Sequence, residues 1–401
     1  MTGKKRSAPR AAKKTANATA KAAKNNKPPK KTPIPPASST PTQDELDQKQ
    51  AVSDQDRKHQ QRVLDVFRHA FNDALSSPSL TATLQSVKQA LYDRDFARAF
   101  GDPEHLAVYA ARWSPTRALC YASVLDGISE HLEPLATSSP VDSPERGDQN
   151  EDEEQTTSAD NIQHLNVLSI GGGAAELVAF ASFLSQHPTP LSGSITLLDS
   201  GPWATVISQL TTALTTPPPL SKYASAAAKL SNAALIPPSH LTPTFLEQDA
   251  LALDKPQLAP LLGTAPLLVT LLFTLNELFT AGGIGRTTTF LVNLTATIPF
   301  GSLLLVVDSP GSYSEASVGK EAKRYPMHWL LDQILLDTTE HAPVNGRRWV
   351  KLESCDSVWF RLASEGLEYP IGLENMRYQM HLYRAEDASL GDGEGSESGD
   401  E

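Results

Sequence analysis

Residues Asn166–Leu184 read "NVLSIGGGAAELVAFASFL". An apolar strand predicted over 166–170 runs into Gly171, Gly172 and Gly173, and an alanine-rich amphipathic helix is expected to start at Ala174. Three glycines let the chain turn tightly and bring its backbone close to a ligand. The first amides of the following helix then point at the same space. Strand, glycine turn and helix in this order form the opening unit of a doubly wound α/β sheet.

The surrounding sequence supplies the rest of such a sheet. Short apolar runs at 194–199 ("SITLLD"), 243–247 ("PTFLE"), 267–273 ("LLVTLLF") and 302–308 ("SLLLVVD") alternate with helical stretches, the pattern of parallel strands joined by crossovers. Two later runs, "CDSVWFRL" and "NMRYQMHLYR", alternate loosely and are separated by a short linker containing glycine. Added as a terminal antiparallel hairpin, they bring the expected sheet to seven strands, with a helix around "PMHWLLDQILL" before them.

In an open doubly wound sheet, ligands sit beyond the carboxyl ends of the strands. The turn reads GGGAAE where a dinucleotide fingerprint calls for GxGxxG or GxGxxA. Glu176 there would repel a pyrophosphate and suits a cationic or zwitterionic ligand such as S-adenosylmethionine. Asp199, 26 residues beyond Gly173, ends the second strand where an acid commonly accepts from ribose hydroxyls. Asp249 follows the third strand, where it could accept from an adenine amino group. Asn276 and Glu277 end the strongly apolar fourth strand; an unpaired buried carboxylate is costly, so both are expected to face a polar cavity. For each of these residues the alternative is a cap on the next helix.

The flanking sequence has a different character. The chain has 401 residues and a net charge of −11, yet the first 36 residues hold eleven Lys or Arg and no acid. Residues 1–53, nearly devoid of large apolar side chains, are expected to be a disordered basic arm. Residues 54–133 form an expected small helical domain. Its apolar periods are Val63, Phe67, Ala70, Phe71, Ala74 and Leu75, then Leu80, Leu84, Val87 and Leu91, followed by segments broken at Ser114-Pro115. Residues 134–160 read as an acidic flexible linker, 161–385 as the catalytic domain and 386–401 as a disordered acidic tail. Two cysteines, Cys120 and Cys355, without a CxxC, argue against a disulfide framework and a zinc site. The longest apolar run, 265–275, is too short to span a bilayer, and the basic start leads into no signal core.

With these residues assembled, the chain resembles the seven-strand S-adenosylmethionine-dependent methyltransferases. More narrowly it resembles the fungal family that methylates N3 of a uridine in large-subunit ribosomal RNA. The narrower likeness rests on "YAARWSPTRALCYASVL", "LSIGGGAAELVAFASFL", "LLFTLNELF" and "YPIGLENMRYQMHLYR" and covers roughly residues 60–385. It implies a Rossmann-like class I methyltransferase in which Gly171, Gly172, Gly173 and Glu176 hold the methionine moiety of S-adenosylmethionine and Asp199 its ribose. Asp249 and Ala250 then border the adenine, and Asn276 lines the reacting end. The turn departs from the commonest methyltransferase pattern by lacking a third spaced glycine.

Uridine N3 lies on the Watson–Crick edge, so its base must be unpaired or flipped out, and the imide proton must leave. Glu277 ranks first as base, before Asp308 and Tyr313. Arg112, Trp113, Arg117 and Tyr121 are the expected holders of the base, their alternative being ordinary helix packing. Arg324 and Tyr325, with Lys320 and Lys323, form an expected basic loop near the pocket mouth. The implied partners are ribosomal RNA or a pre-ribosomal particle, with no membrane. A monomer in the nucleus and nucleolus is expected, the basic arm binding RNA or serving as an address. Two other functions stay open: an inactive ribosome-assembly factor on the same fold, and a nicotinamide-dependent oxidoreductase sharing the glycine turn and Asp199.

Overall fold

The computed structural model describes residues 53–138, 162–311, 313–318, 321–337, 343–363 and 366–391. The basic arm up to residue 52, most of the acidic insert, and the tail from 392 lie outside the described residues.

The chain enters through helices with clear local signals. Helix α1 (Asp54–Ala70) is capped by the Ser53 hydroxyl, which accepts from the Asp56 amide, and it buries Val63, Leu64, Val66 and Phe67 on one stripe. Helix α2 (Leu80–Tyr92) follows. Helix α3 (Pro103–Arg112) starts on an Asp102 cap with proline in its first turn, where the missing amide costs nothing. Trp113 breaks the helix, and α4 (Ser114–Gly127) resumes with Pro115 again inside a first turn.

Strand β1 (Gln163–Ile170) then leads through the glycine turn into α5 (Ala174–Gln186). β2 (Leu191–Asp199) and α6 (Ala204–Thr215) are followed by β3 (Leu241–Glu247), α7 (Lys255–Leu262) and β4 (Leu268–Leu272). After α8 (Ile284–Thr297) comes β5 (Leu303–Asp308). The expected basic loop is instead a separate two-stranded hairpin, β6 (Tyr313–Val318) and β7 (Glu321–Pro326), which delivers the chain to α9 (Met327–Asp332). Lys320 and the side chains of Tyr313, Lys323 and Arg324 lie outside the described residues. β8 (Arg347–Phe360) and β9 (Met376–Asp387) close the fold.

The sheet runs in the order β3-β2-β1-β4-β5-β9-β8, the first five strands parallel and the last two antiparallel; the two residues Thr137–Ser138 add to β1. This is the seven-strand, doubly wound arrangement with a terminal antiparallel hairpin. Every residue of β4 and β5 is buried, as central parallel strands covered on both faces must be. The edge strand β3 carries Pro243 and is half-exposed.

One core lies on each side. Leu165 and Val167 of β1 face the side covered by α1, α3, α4, α5 and α6; Leu168 and Ile170 face α7, α8 and α9. The 54–132 helices pack into the first of these cores, α4 lying along α5. That contact corrects the expectation of an amphipathic α5. Residues 174–184 are buried on all sides, because α4 and α6 cover the face that would otherwise meet water. Burying a side chain such as Phe180 stabilises by about 1.5–3 kcal/mol.

Candidate active site

The strand order reverses direction between β1 and β4, which opens a crevice beyond their carboxyl ends. Gly171 sits there at φ +69°, and a Cβ on it would lie 2.4 Å from the Thr274 side chain that follows β4. A Cβ on Gly172 would come within 2.6 Å of the Ser169 hydroxyl and 2.9 Å of its carbonyl. Both positions therefore demand glycine. The Gly173 amide donates to Glu176 Oε2 at 2.8 Å, so the acid closes the first turn of α5 and does not project past it. Glu176 is 9% exposed; burial, with the nearby Asp199 charge, pushes its carboxyl up to about 7 against the pull of that amide and of Arg117.

Asp199 ends β2 with Oδ1 accepting from the Gly201 amide (2.7 Å) and the Trp203 indole N–H (3.2 Å). Burial raises it to about 6. Trp203 was not singled out in the sequence, yet its ring faces Gly173 and packs with Phe100 and Tyr109 as a wall over the turn. An indole four residues after the ribose-type acid was the legible signal. Ala250 is buried beneath the next loop. Asp249 has both oxygens engaged, Oδ1 capping Leu251 and Oδ2 paired with Arg286 at 2.9 Å. The capping alternative describes it better than adenine recognition does.

At the end of β4 the backbone is strained: Phe273 adopts φ +58°, a region a bulky side chain rarely enters and one that clusters at functional sites. This turn aims Asn276 and Glu277 into the crevice. The Asn276 amide donates to Asp308 Oδ2 (3.0 Å), while its side-chain Oδ1 is buried without a hydrogen-bond partner among the described residues. Part of the Glu277 side chain meets water, but burial of its carboxyl pushes it up to about 7, with Arg117 opposing and Asp308 and Asp199 adding.

The four residues expected to hold a base divide. Arg112 pairs with Glu374, and Trp113 lies half-buried against Tyr109. Tyr121 is 1% exposed and belongs to the core beside Phe273, so it has no face on which a base could stack. Its hydroxyl is also buried without a partner. Arg117 donates to Tyr109 Oη, lies over the Phe273 and Tyr109 rings, and makes no ion pair among the described residues. Burial works against its charge, but Tyr109, Tyr121, Glu176 and Glu277 outweigh it and hold the guanidinium firmly protonated. Tyr325 stacks on Trp329.

The residues at the switch point fit S-adenosylmethionine. Three acids held above their usual pKa favour a cation, and the Arg117 guanidinium, the Asn276 Oδ1, which has no partner among the described residues, and the Gly172 backbone offer what a zwitterion needs.

Comparison with known proteins agrees. Residues 67–384 match the model of a family described as SAM-dependent methyltransferases. A 25S rRNA (uridine(2843)-N(3))-methyltransferase of Saccharomyces cerevisiae is 31% identical over 352 residues, spanning 80% of this chain and 85% of that protein. Among solved structures, an O-methyltransferase family protein from Burkholderia thailandensis shares 13% identity at a TM-score of 0.35, covering 77% of this chain and 68% of its own. A 16S rRNA (adenine(1408)-N(1))-methyltransferase from Catenulisporales acidiphilia shares 12% at 0.32, covering 56% and 88%. Likenesses as slight as these two add nothing to the argument. The match over most of its length and the curated relative place the chain in the S-adenosylmethionine-dependent methyltransferase family.

Proposed function

We propose that the protein methylates N3 of a uridine in large-subunit ribosomal RNA. The observation that carries this reading is Glu277, a carboxylate poised near neutrality at the end of β4 and reachable from water. A base that must remove an imide proton at physiological pH works best with a pKa near the operating pH. When bound, the cofactor supplies an electrophilic methyl group on a sulfonium. Arg117 and the amides of the glycine turn would hold its carboxylate, Asp199 its ribose, and the acid cluster would stabilise its positive charge. Proximity and orientation supply most of what an in-line transfer needs. Glu277 accepts the N3 proton, and Asn276, tied to Asp308, fixes the β4 turn that presents it.

Support for the substrate class comes from the yeast relative, whose name specifies uridine N3 of 25S rRNA. The inactive-scaffold alternative requires no ionisable group held near neutrality at the reacting end, and the oxidoreductase alternative leaves the acid cluster without a purpose.

In wild-type enzyme kcat/KM for methyl transfer to RNA is expected to rise through a limb near pH 7. Glu277→Gln is expected to lose that limb and about 100- to 10,000-fold in rate, with a much smaller loss of calorimetric cofactor affinity from the missing charge. Equal activity and an unchanged profile would remove Glu277 as the base. Absence of N3-methyluridine differences in ribosomal RNA from cells with and without the protein would overturn the substrate. Under the same reading the enzyme works as a monomer on pre-ribosomal particles in the nucleolus, addressed there by the basic residues of 1–53. Imaging a tagged chain with and without that arm tests the address, and diffuse nuclear signal from both would refute it.

A further inference from the structure

Of the five tryptophans, two are exposed, Trp329 at 46% and Trp359 at 44%, and both lie on the same side of the sheet. The register decides this. Trp359 pairs across the strands with Arg377, and Arg377 shares its face of β9 with Gln379, His381 and Tyr383. Tyr383 is in the core covered by α9, and the His381 ring lies 5.6 Å from that of His328 in the first turn of α9. Beyond His381 toward the carboxyl edge, the sheet face is exposed at Arg377 and Trp359. Four residues of strand, about 14 Å, separate Arg377 from His381.

Two guanidiniums lie against the Trp359 indole, Arg361 at 5.5 Å and Arg377 at 5.6 Å from the ring centroid. Arg377 is further held by donating Nε–H to Ser357 Oγ at 2.8 Å. Beside them, a cavity of about 460 Å³ opens between Arg361, Leu362, Tyr369, Leu373 and Asn375. Pockets of this volume lie in the range that takes small ligands. On the other flank, Tyr325 stacks on Trp329 at 5.1 Å. Trp359 and Arg377 occupy the carboxyl edge of the sheet, the edge that carries Glu277. From β4 to β8 is three strand spacings, about 14 Å.

We propose that Trp359 and Arg377 form the docking platform for single-stranded RNA next to the modified uridine. The platform rests on the RNA-substrate reading above. An exposed indole offers a π-face to any base, and fixed guanidiniums neutralise phosphates. That combination is how single strands are held without sequence readout. It also explains how a chain with a net charge of −11 retains a polyanion beside an acidic crevice.

The test measures binding of fluorescein-labelled oligouridine by anisotropy across a salt series, alongside cofactor calorimetry and methyl transfer to extracted ribosomal RNA. Trp359→Ala is expected to weaken oligouridine binding about 5- to 100-fold, and Arg377→Ala to lower the slope of log affinity against log salt by about 0.7. Tyr92→Ala, at an exposed tyrosine on α2, is expected to bind as wild type. Cofactor affinity stays unchanged in all three. The platform is overturned if Trp359→Ala binds oligouridine as well as wild type, if cofactor affinity falls in step with RNA affinity, or if wild type does not bind oligouridine. Wild type that binds oligouridine through Trp359 yet transfers no methyl group to ribosomal RNA leaves the platform standing and removes the enzymatic reading. Transfer that survives Trp359→Ala with unchanged binding does the reverse.

Discussion

The two ends of the sheet's carboxyl edge are built to opposite electrostatic designs. At the switch point, Glu176 and Glu277 flank the Arg117 guanidinium and Asp199 lies close to both acids, with every acid pushed up by burial. At the hairpin, Trp359 stands exposed between two arginines. The first suits a small cation held away from water, and the second an extended anion held at the surface. One edge can therefore take both partners of a methyl transfer without either competing for the other's site.

The largest expected break in that contrast is Gly172→Arg. Even a Cβ at this position meets Ser169 side chain and backbone, so the turn must shift. Cofactor affinity should fall at least about 100-fold, while oligouridine binding at the hairpin is kept. Calorimetry and anisotropy on one preparation separate the two, and joint loss would mean that the sites are not independent.

A smaller effect sharpens the cradle's charge logic. Arg117→Leu should weaken cofactor binding roughly 30-fold. The melting temperature should fall, because Tyr109, Tyr121, Glu176 and Glu277 favour the charged guanidinium more than burial opposes it, and Tyr109 loses its donor. The three acids have folded pKa values of about 7, 6 and 7, raised above those of free carboxyls. Their contribution to apo stability is thus fully present below the unfolded carboxylate pKa and is lost as pH rises through 6 to 7. A bound cation favours the ionised forms, so cofactor affinity should improve from pH 5.5 to 7.5 with release of protons. Flat affinity across that range, measured in two buffers of different ionisation enthalpy, would show that the acids do not face the ligand.

Much of the architecture was legible because burial on two faces leaves a mark in the residues themselves. "LLVTLLF" and "SLLLVVD" became the fully buried β4 and β5, and "CDSVWFRL" with "NMRYQMHLYR" became the core of a longer hairpin. The glycine turn and the acid after β2 were found for the same reason, since backbone approach and strand ends impose residue types. Long-range packing was less legible. Tyr121 and Arg117 sit one helical turn apart in a single motif, yet one went to the core and the other to the cofactor crevice. Asp249 carried the same signal as Asp199, but Arg286, 37 residues later, claimed it.

The sequence by itself determined the strand order's ingredients, the glycine turn and the character of its ligand, because these follow from backbone sterics and from the local sign of charge. The tertiary structure alone decided that α4 lies against α5 and brings Arg117 between Glu176 and Glu277. It also decided that Phe273 bends the end of β4 and that cross-strand register sets Arg377 beside Trp359. Each of these depends on elements far apart in the chain meeting at fixed distances, and no local pattern of residues encodes such a distance.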